Sequence, residues 1–142
     1  MVAGETLAET LPHGADIGVR GVGPTMDAAF EQAALALASC ITVPSDIRET
    51  AAIDIRCDAP SPDLLLFDWL NSLIYEMALR HMVFGRFTVR IEGSGLSGRA
   101  WGEAIDAARH APAVEPKGAT LTALKVEQQQ GGAWLAQCVI DV

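Results

Sequence analysis

Apolar and polar positions alternate along Leu11 to Val22, where Ile17 and Val19 interleave with Gly18 and Arg20, and this predicts a strand region. Gly21, Gly23 and Pro24 mark a turn after it. The period then changes. Ala29, Phe30, Ala33, Ala34 and Leu37 recur at helical spacing, with Thr25 as N-cap and Asp27 placed to meet the helix dipole. This predicts a helix to about Cys40, ended by Pro44 and Ser45. Ala51 to Cys57 alternates again, with Ile53 and Ile55 inward and Asp54 and Arg56 outward. After the turn Ala59-Pro60-Ser61-Pro62, Ser61 caps and Pro62 opens a second helix to about His81. That helix is expected to bury Leu65, Leu66, Trp69, Leu73 and Met77 and to carry Asp63, Asp68 and Glu76.

Four strand-like segments follow. Phe84 to Ile91 places Phe87, Val89 and Ile91 on one face, Gly93-Ser94-Gly95 connects it tightly, and Leu96 to Gly102 reads as its hairpin partner. Residues 103–117 read as an irregular loop, Ala119 to Glu127 as a strand, 128–132 as a turn, and Ala133 to Asp141 as the last strand. Residues 1–10 read as a peripheral or poorly ordered leader. The order β-α-β-α-β-β-β-β, ending in consecutive hairpins, predicts a single α+β domain over 1–142. Its expected architecture is a largely antiparallel sheet of about six strands with two packed helices.

Composition narrows the function. Half of the 142 residues are hydrophobic, enough for a full core. The net charge of -8 gives a surface that repels phosphate backbones, so stable direct nucleic-acid binding is not expected. It suits a basic protein partner or divalent cations, with acidity for solubility as the bland alternative. Cys40, Cys57 and Cys138 are odd in number, form no CxxC pair, and fit reduced thiols in a cytoplasmic protein better than a zinc site. No basic and apolar leader precedes residue 12, and the longest apolar stretch, Ala33 to Ala38, is far short of the roughly 20 residues of a membrane span.

No dinucleotide fingerprint, Walker lysine or nucleophile elbow is present, and Ser97 sits in a Gly-Leu-Ser-Gly turn context. His81 reads as a cation at a helix C-terminus. Gly102-Glu103 and Arg109-His110 flank the long loop, as ion pairs that anchor it or as part of a site. Asp16 and Asp141 interrupt apolar runs near the two ends of the chain. Such a carboxylate needs pairing, hydrogen bonds or a metal if it is buried. Side by side, these strands would bring Asp16, Asp141 and the Val142 carboxylate to one cation, a hard-oxygen set suited to magnesium, calcium or manganese. The alternative is a pair of surface aspartates at strand ends. His13, three residues before Asp16, would point to the opposite face of an extended chain and is either an outer partner of the site or structural.

The ordered motifs His13-Gly14-Ala15-Asp16-Ile17, Thr25 to Ala36 and Leu65-Leu66-Phe67-Asp68-Trp69-Leu70-Asn71 carry a family resemblance. Gly102-Glu103, Asp106, His110, Glu115-Pro116-Lys117-Gly118-Ala119-Thr120 and Val139-Ile140-Asp141-Val142 extend it. Together they make the chain resemble archease, over Leu11 to Val142. Gly14 stands where many members carry threonine, and Leu121-Thr122 where many carry Tyr-His. The resemblance implies a cytoplasmic protein without catalysis of its own. It would activate a GTP-dependent RNA ligase, of tRNA splicing or RNA repair, by promoting its guanylylation and repeated turnover. It also implies a divalent ion on Asp16, Asp141 and the Val142 carboxylate, with Lys117 facing the partner or its nucleotide and His13 and His110 as outer or partner contacts. Two rivals are a small metal-dependent phosphohydrolase using Asp16, Asp141, His13 and His110, and an acidic chaperone or adaptor.

Overall fold

The chain is described by a computed structural model over residues 4–142. Its first unit is a hairpin. Strands β1 (Leu7–His13) and β2 (Asp16–Gly23) pair antiparallel from Leu7↔Val22 to His13↔Asp16. The two residues between them turn with Gly14 at φ +61, a conformation glycine adopts without steric cost. The expected continuous strand from Leu11 is thus folded on itself, and Leu7 to Thr10, expected within a leader, are already strand. Gly21 and Gly23 lie inside β2 rather than in a turn. A Cβ at Gly21 would overlap the Ala29 carbonyl, so the glycine lets helix α1 (Met26–Ile41) settle directly on the strand backbone.

Thr25 caps α1 by accepting the Ala28 N–H, and Ser61 caps α2 (Pro62–Arg80) by accepting the Leu64 N–H, as the sequence predicts. His81 ends α2 through its left-handed backbone, its own N–H donating to the Met77 carbonyl, so backbone geometry carries the cap. A short 3-10 turn at Pro44–Asp46 leads into β3 (Ala51–Asp58), where Ile53 and Ile55 are buried. Strands β4 (Met82–Glu92) and β5 (Gly95–Ala104) follow, then the one-turn helix α3 (Ala107–His110) inside the expected loop. The segment expected as one strand from Ala119 divides into β6 (Gly118–Ala119) and β7 (Lys125–Gln128). Between them the chain bends through Ala123, at φ 53. Strand β8 (Trp134–Asp141) closes the fold.

The α+β class and antiparallel pairing hold. Among the described residues the strands number eight and form two sheets, β1-β2-β8-β6 with β7 also on β8, and β3-β5-β4. α1 packs on β1, β2, β8 and β4, and α2 on strands of both sheets, so the helices join them around one core. Trp69 lies at its centre, fully buried, with its ring edge-on to Phe87 and its Nε1–H donating to the Phe30 carbonyl at 3.2 Å. A Cβ at Gly98 would overlap that ring. Met77, expected in the core, is only partly buried. Cys138 is buried and Cys40 partly so, and burial pushes both thiols up to about 11.

Candidate functional site

β2 and β8 are neighbours in register, Ile17 opposite Ile140. The pairing ends at that couple, and Asp16 and Asp141 are the next residues of the two strands, so the same register carried one step further would set them across from each other. Beyond β8, Gly118 of β6 pairs with Asp141, and before β2, His13 pairs with Asp16. Residues directly opposite in an antiparallel ladder project to the same face. His13, Asp16, Asp141 and Gly118 therefore form one row across four strands at the rim of the larger sheet. This corrects the expectation for His13: the hairpin returns it to the side of Asp16, whereas an extended chain would have turned it away. Lys117 precedes the row's last member, and its backbone N–H donates to the Asp141 carbonyl at 2.8 Å. Asp16 is half-buried, while His13, Lys117 and Asp141 are exposed. Among the described residues, Lys117 has no ion-pair partner within 4.0 Å.

The row offers hard oxygen donors but not a closed cage. Among the described residues no three or more His, Cys, Asp or Glu side chains are grouped to hold a metal. By donor chemistry the carboxylates of Asp16, Asp141 and Val142 are hard-oxygen groups, the type that magnesium takes one or two of while keeping several waters. They do not fit the nitrogen and sulfur preferences of zinc.

His110 is elsewhere. Its buried ring joins a clasp at the end of β5, with Nε2 3.0 Å from Glu103 Oε2 and Nδ1 accepting the Asp106 N–H at 2.8 Å. With Nδ1 an acceptor, the proton of the neutral ring sits on Nε2 and points at Glu103. Glu103 also accepts the Arg48 N–H at 2.7 Å and the Arg109 guanidinium. These donors, the Arg48 amide foremost and then Arg109, hold the Glu103 carboxyl down at about 2. Arg109 reaches the Asp46 carbonyl, and Thr42 Oγ1–H donates to the His110 carbonyl at 2.6 Å. Of the two sequence readings of this loop, the ion-pair anchor is the one these contacts build. The anchored segment runs on to Lys117, so the clasp and the acidic row are joined by a short stretch stiffened by Pro112 and Pro116.

The pattern of the Archease protein family (MTH1598/TM1083) matches residues 9–142. The chain belongs to the archease family. It is 38% identical over 138 residues to protein archease of Pyrococcus furiosus, covering 94% of this chain and 97% of that protein. It is 30% identical to protein archease of Sulfolobus acidocaldarius, covering 96% and 99%. Among solved structures, the solution structure of Methanobacterium thermoautotrophicum protein 1598 superposes with a TM-score of 0.83 at 27% identity, covering 95% of this chain and 98% of that one. The archease fold thus accounts for nearly the whole chain. Among the described residues, no helix is long and apolar enough to cross a membrane.

The family motif Leu65 to Asn71 serves the interior: Trp69 fills the core, and Asn71 brackets Ala119, accepting its N–H at 2.9 Å and donating to its carbonyl at 3.4 Å. The sequence reading missed this use of Asn71. Its local signal was slight, one amide side chain among the polar neighbours Asp68 and Ser72.

Proposed function

We propose that this protein is a non-catalytic activator of a GTP-dependent RNA ligase, acting in the cytoplasm and using a divalent ion held at the row His13, Asp16, Asp141. The observation that carries the reading is the β2–β8 register, whose end pair Ile17↔Ile140 leaves Asp16 and Asp141 as the next residues of neighbouring strands. Archease membership and the net charge of -8 support it. Asp16, Asp141 and the Val142 carboxylate would hold calcium, magnesium or manganese. When bound, such an ion would neutralise phosphate charge near the ligase's nucleotide. The chain's own residues have distinct tasks. Asp16 and Asp141 present carboxylates on one face. His13, the cross-strand partner of Asp16, would serve as an outer partner of that carboxylate. Lys117, whose backbone N–H bonds the Asp141 carbonyl, would meet an anionic group of the partner or its nucleotide. The acidic surface suits the basic cleft that an RNA ligase needs, and the free cysteines Cys40, Cys57 and Cys138 are compatible with a reducing compartment.

The phosphohydrolase alternative draws no support from His110, whose two ring nitrogens are both engaged in the clasp. The test is a guanylylation assay of a GTP-dependent RNA ligase with and without this protein. Addition should raise both guanylylation and turnover. Asp16→Asn should cut the stimulation by about tenfold or more at unchanged thermal midpoint, the range typical for altering a metal-site residue. Full stimulation by the asparagine variant would remove the metal from the mechanism, and no stimulation by the native protein would remove the function.

A further inference from the structure

A strand at a sheet edge exposes N–H and C=O groups that must be satisfied or shielded. Helix side chains close three edges of this fold. Glu31 of α1 accepts the Val89 N–H at 2.8 Å and Asp27 the Ile91 N–H at 3.2 Å, which closes β4. Asn71 of α2 brackets Ala119 and closes β6. Asp63 accepts the Val126 N–H at 2.8 Å and closes β7. A fourth edge, β1, carries Pro12, which offers no N–H to an added strand.

β3 has none of these protections. It borders its sheet, pairs among the described residues only with β5, and is eight residues long without proline. Among the described residues, no side chain bonds its outer backbone. The Ala59 N–H donates to the Ser94 carbonyl at 3.1 Å, in step with the β3–β5 register, so odd-numbered residues bond towards β5. The N–H and C=O groups of Ala52, Asp54, Arg56 and Asp58 consequently face outward. A groove of about 540 Å³ runs along this edge, walled by α2 through Asp68, Ser72 and Tyr75. Tyr75 is 62% exposed although it lies on a core helix. Asp54 is engaged by Arg99 and Glu76 by Arg80, whereas Asp58, Asp68 and the lining Arg56 have no ion-pair partner among the described residues, so two free acids stand against one free arginine.

We infer that the outer edge of β3 accepts an extended basic segment of a partner protein as an added strand. The segment's main chain would bond to the outward groups of Ala52 to Asp58. Its alternate side chains would enter the groove against α2, and its lysines or arginines would reach Asp58 and Asp68. A second copy of this chain is the poorer occupant, because each copy brings a net charge of -8 and the same unpaired acids to the contact. The inference does not rest on the metal site or on the ligase.

The test uses two blocked peptides, one alternating lysine with valine and the other glutamate with valine, titrated into the intact protein and followed by amide NMR. The lysine peptide should shift resonances of β3 and α2 and slow exchange of the Asp54 and Arg56 amides by about tenfold. The glutamate peptide should do neither. Arg56→Pro removes an outward N–H without removing a bond to β5, and should abolish binding in a protein that still melts cooperatively. The double variant Asp58→Lys, Asp68→Lys should reverse the preference between the peptides, and it carries the test if the proline variant does not fold. The proposal is overturned by no binding at millimolar peptide, or by shifts confined to other strands. It is equally overturned if these amides gain protection with protein concentration alone, which would assign the edge to a second copy.

Discussion

Glu103 shows how one residue organises a long loop. Its carboxylate is buried at the end of β5 and receives the Arg48 amide, the Arg109 guanidinium and the His110 ring. Together these donors lower its pKa from 4.5 to about 2. A carboxyl whose folded pKa is depressed adds stability above its unfolded pKa and loses it as pH falls through the folded value. The contribution should therefore be complete above about pH 5, shrink below 4.5 and vanish near 2. Glu103→Gln keeps the shape but removes the charge. Urea melts across this range should show the variant weaker than the native protein at neutral pH, with the gap closing in acid. A gap that stays constant with pH would mean that the charge contributes nothing and that shape alone holds the loop.

At the scale of elements, sheet edges are finished by residues far away in sequence. Asn71→Ala would leave the N–H and C=O of Ala119 unpaired, at a cost of about 1–3 kcal/mol. The Ala119 amide should then exchange faster than the amides of the neighbouring strand β8. Unchanged exchange at Ala119 would show that water replaces the asparagine fully. Such long-range finishing is what the sequence hides. The helices were legible because their signals are local: Thr25 and Ser61 cap where they stand, and the apolar stripes follow the helical period. β1 was not, because all its residues are exposed or only half-buried and its Glu9, Thr10 and Pro12 erase any alternation. The break between β6 and β7 gives no sign either, since its positive φ falls on Ala123 and not on a glycine. Asp16 and Asp141 stood out as acids in apolar runs, but that they end neighbouring strands is a property of the β2–β8 ladder. His13 could be turned the right way only once Gly14 was known to fold the strand back.

Across the whole molecule, the charge of -8 is unevenly spread. Arg56, Arg86, Arg90 and Arg99 all lie on the solvent face of the smaller sheet, where Glu49, Asp54 and Glu92 pair with three of them. Arg86 also stacks on Trp101, 4.0 Å from its ring centre. That face is close to neutral, so the excess negative charge lies elsewhere, and the half-buried Asp16 and exposed Asp141 of the row belong to the other sheet. Long-range attraction should orient the molecule towards a basic cleft before any contact forms. Steering acts on encounter, whereas the row acts after docking, and the two separate experimentally. The association rate with the proposed ligase, followed by stopped-flow fluorescence, should fall about tenfold as salt rises from low to above physiological strength. Asp16→Asn removes only one of the chain's negative charges and should leave that rate within about twofold, while its loss appears in the stimulation assay. An association rate flat in salt would rule out steering. A rate that collapsed with Asp16→Asn would place the acidic row in the encounter itself, because a single distant charge cannot account for such a change.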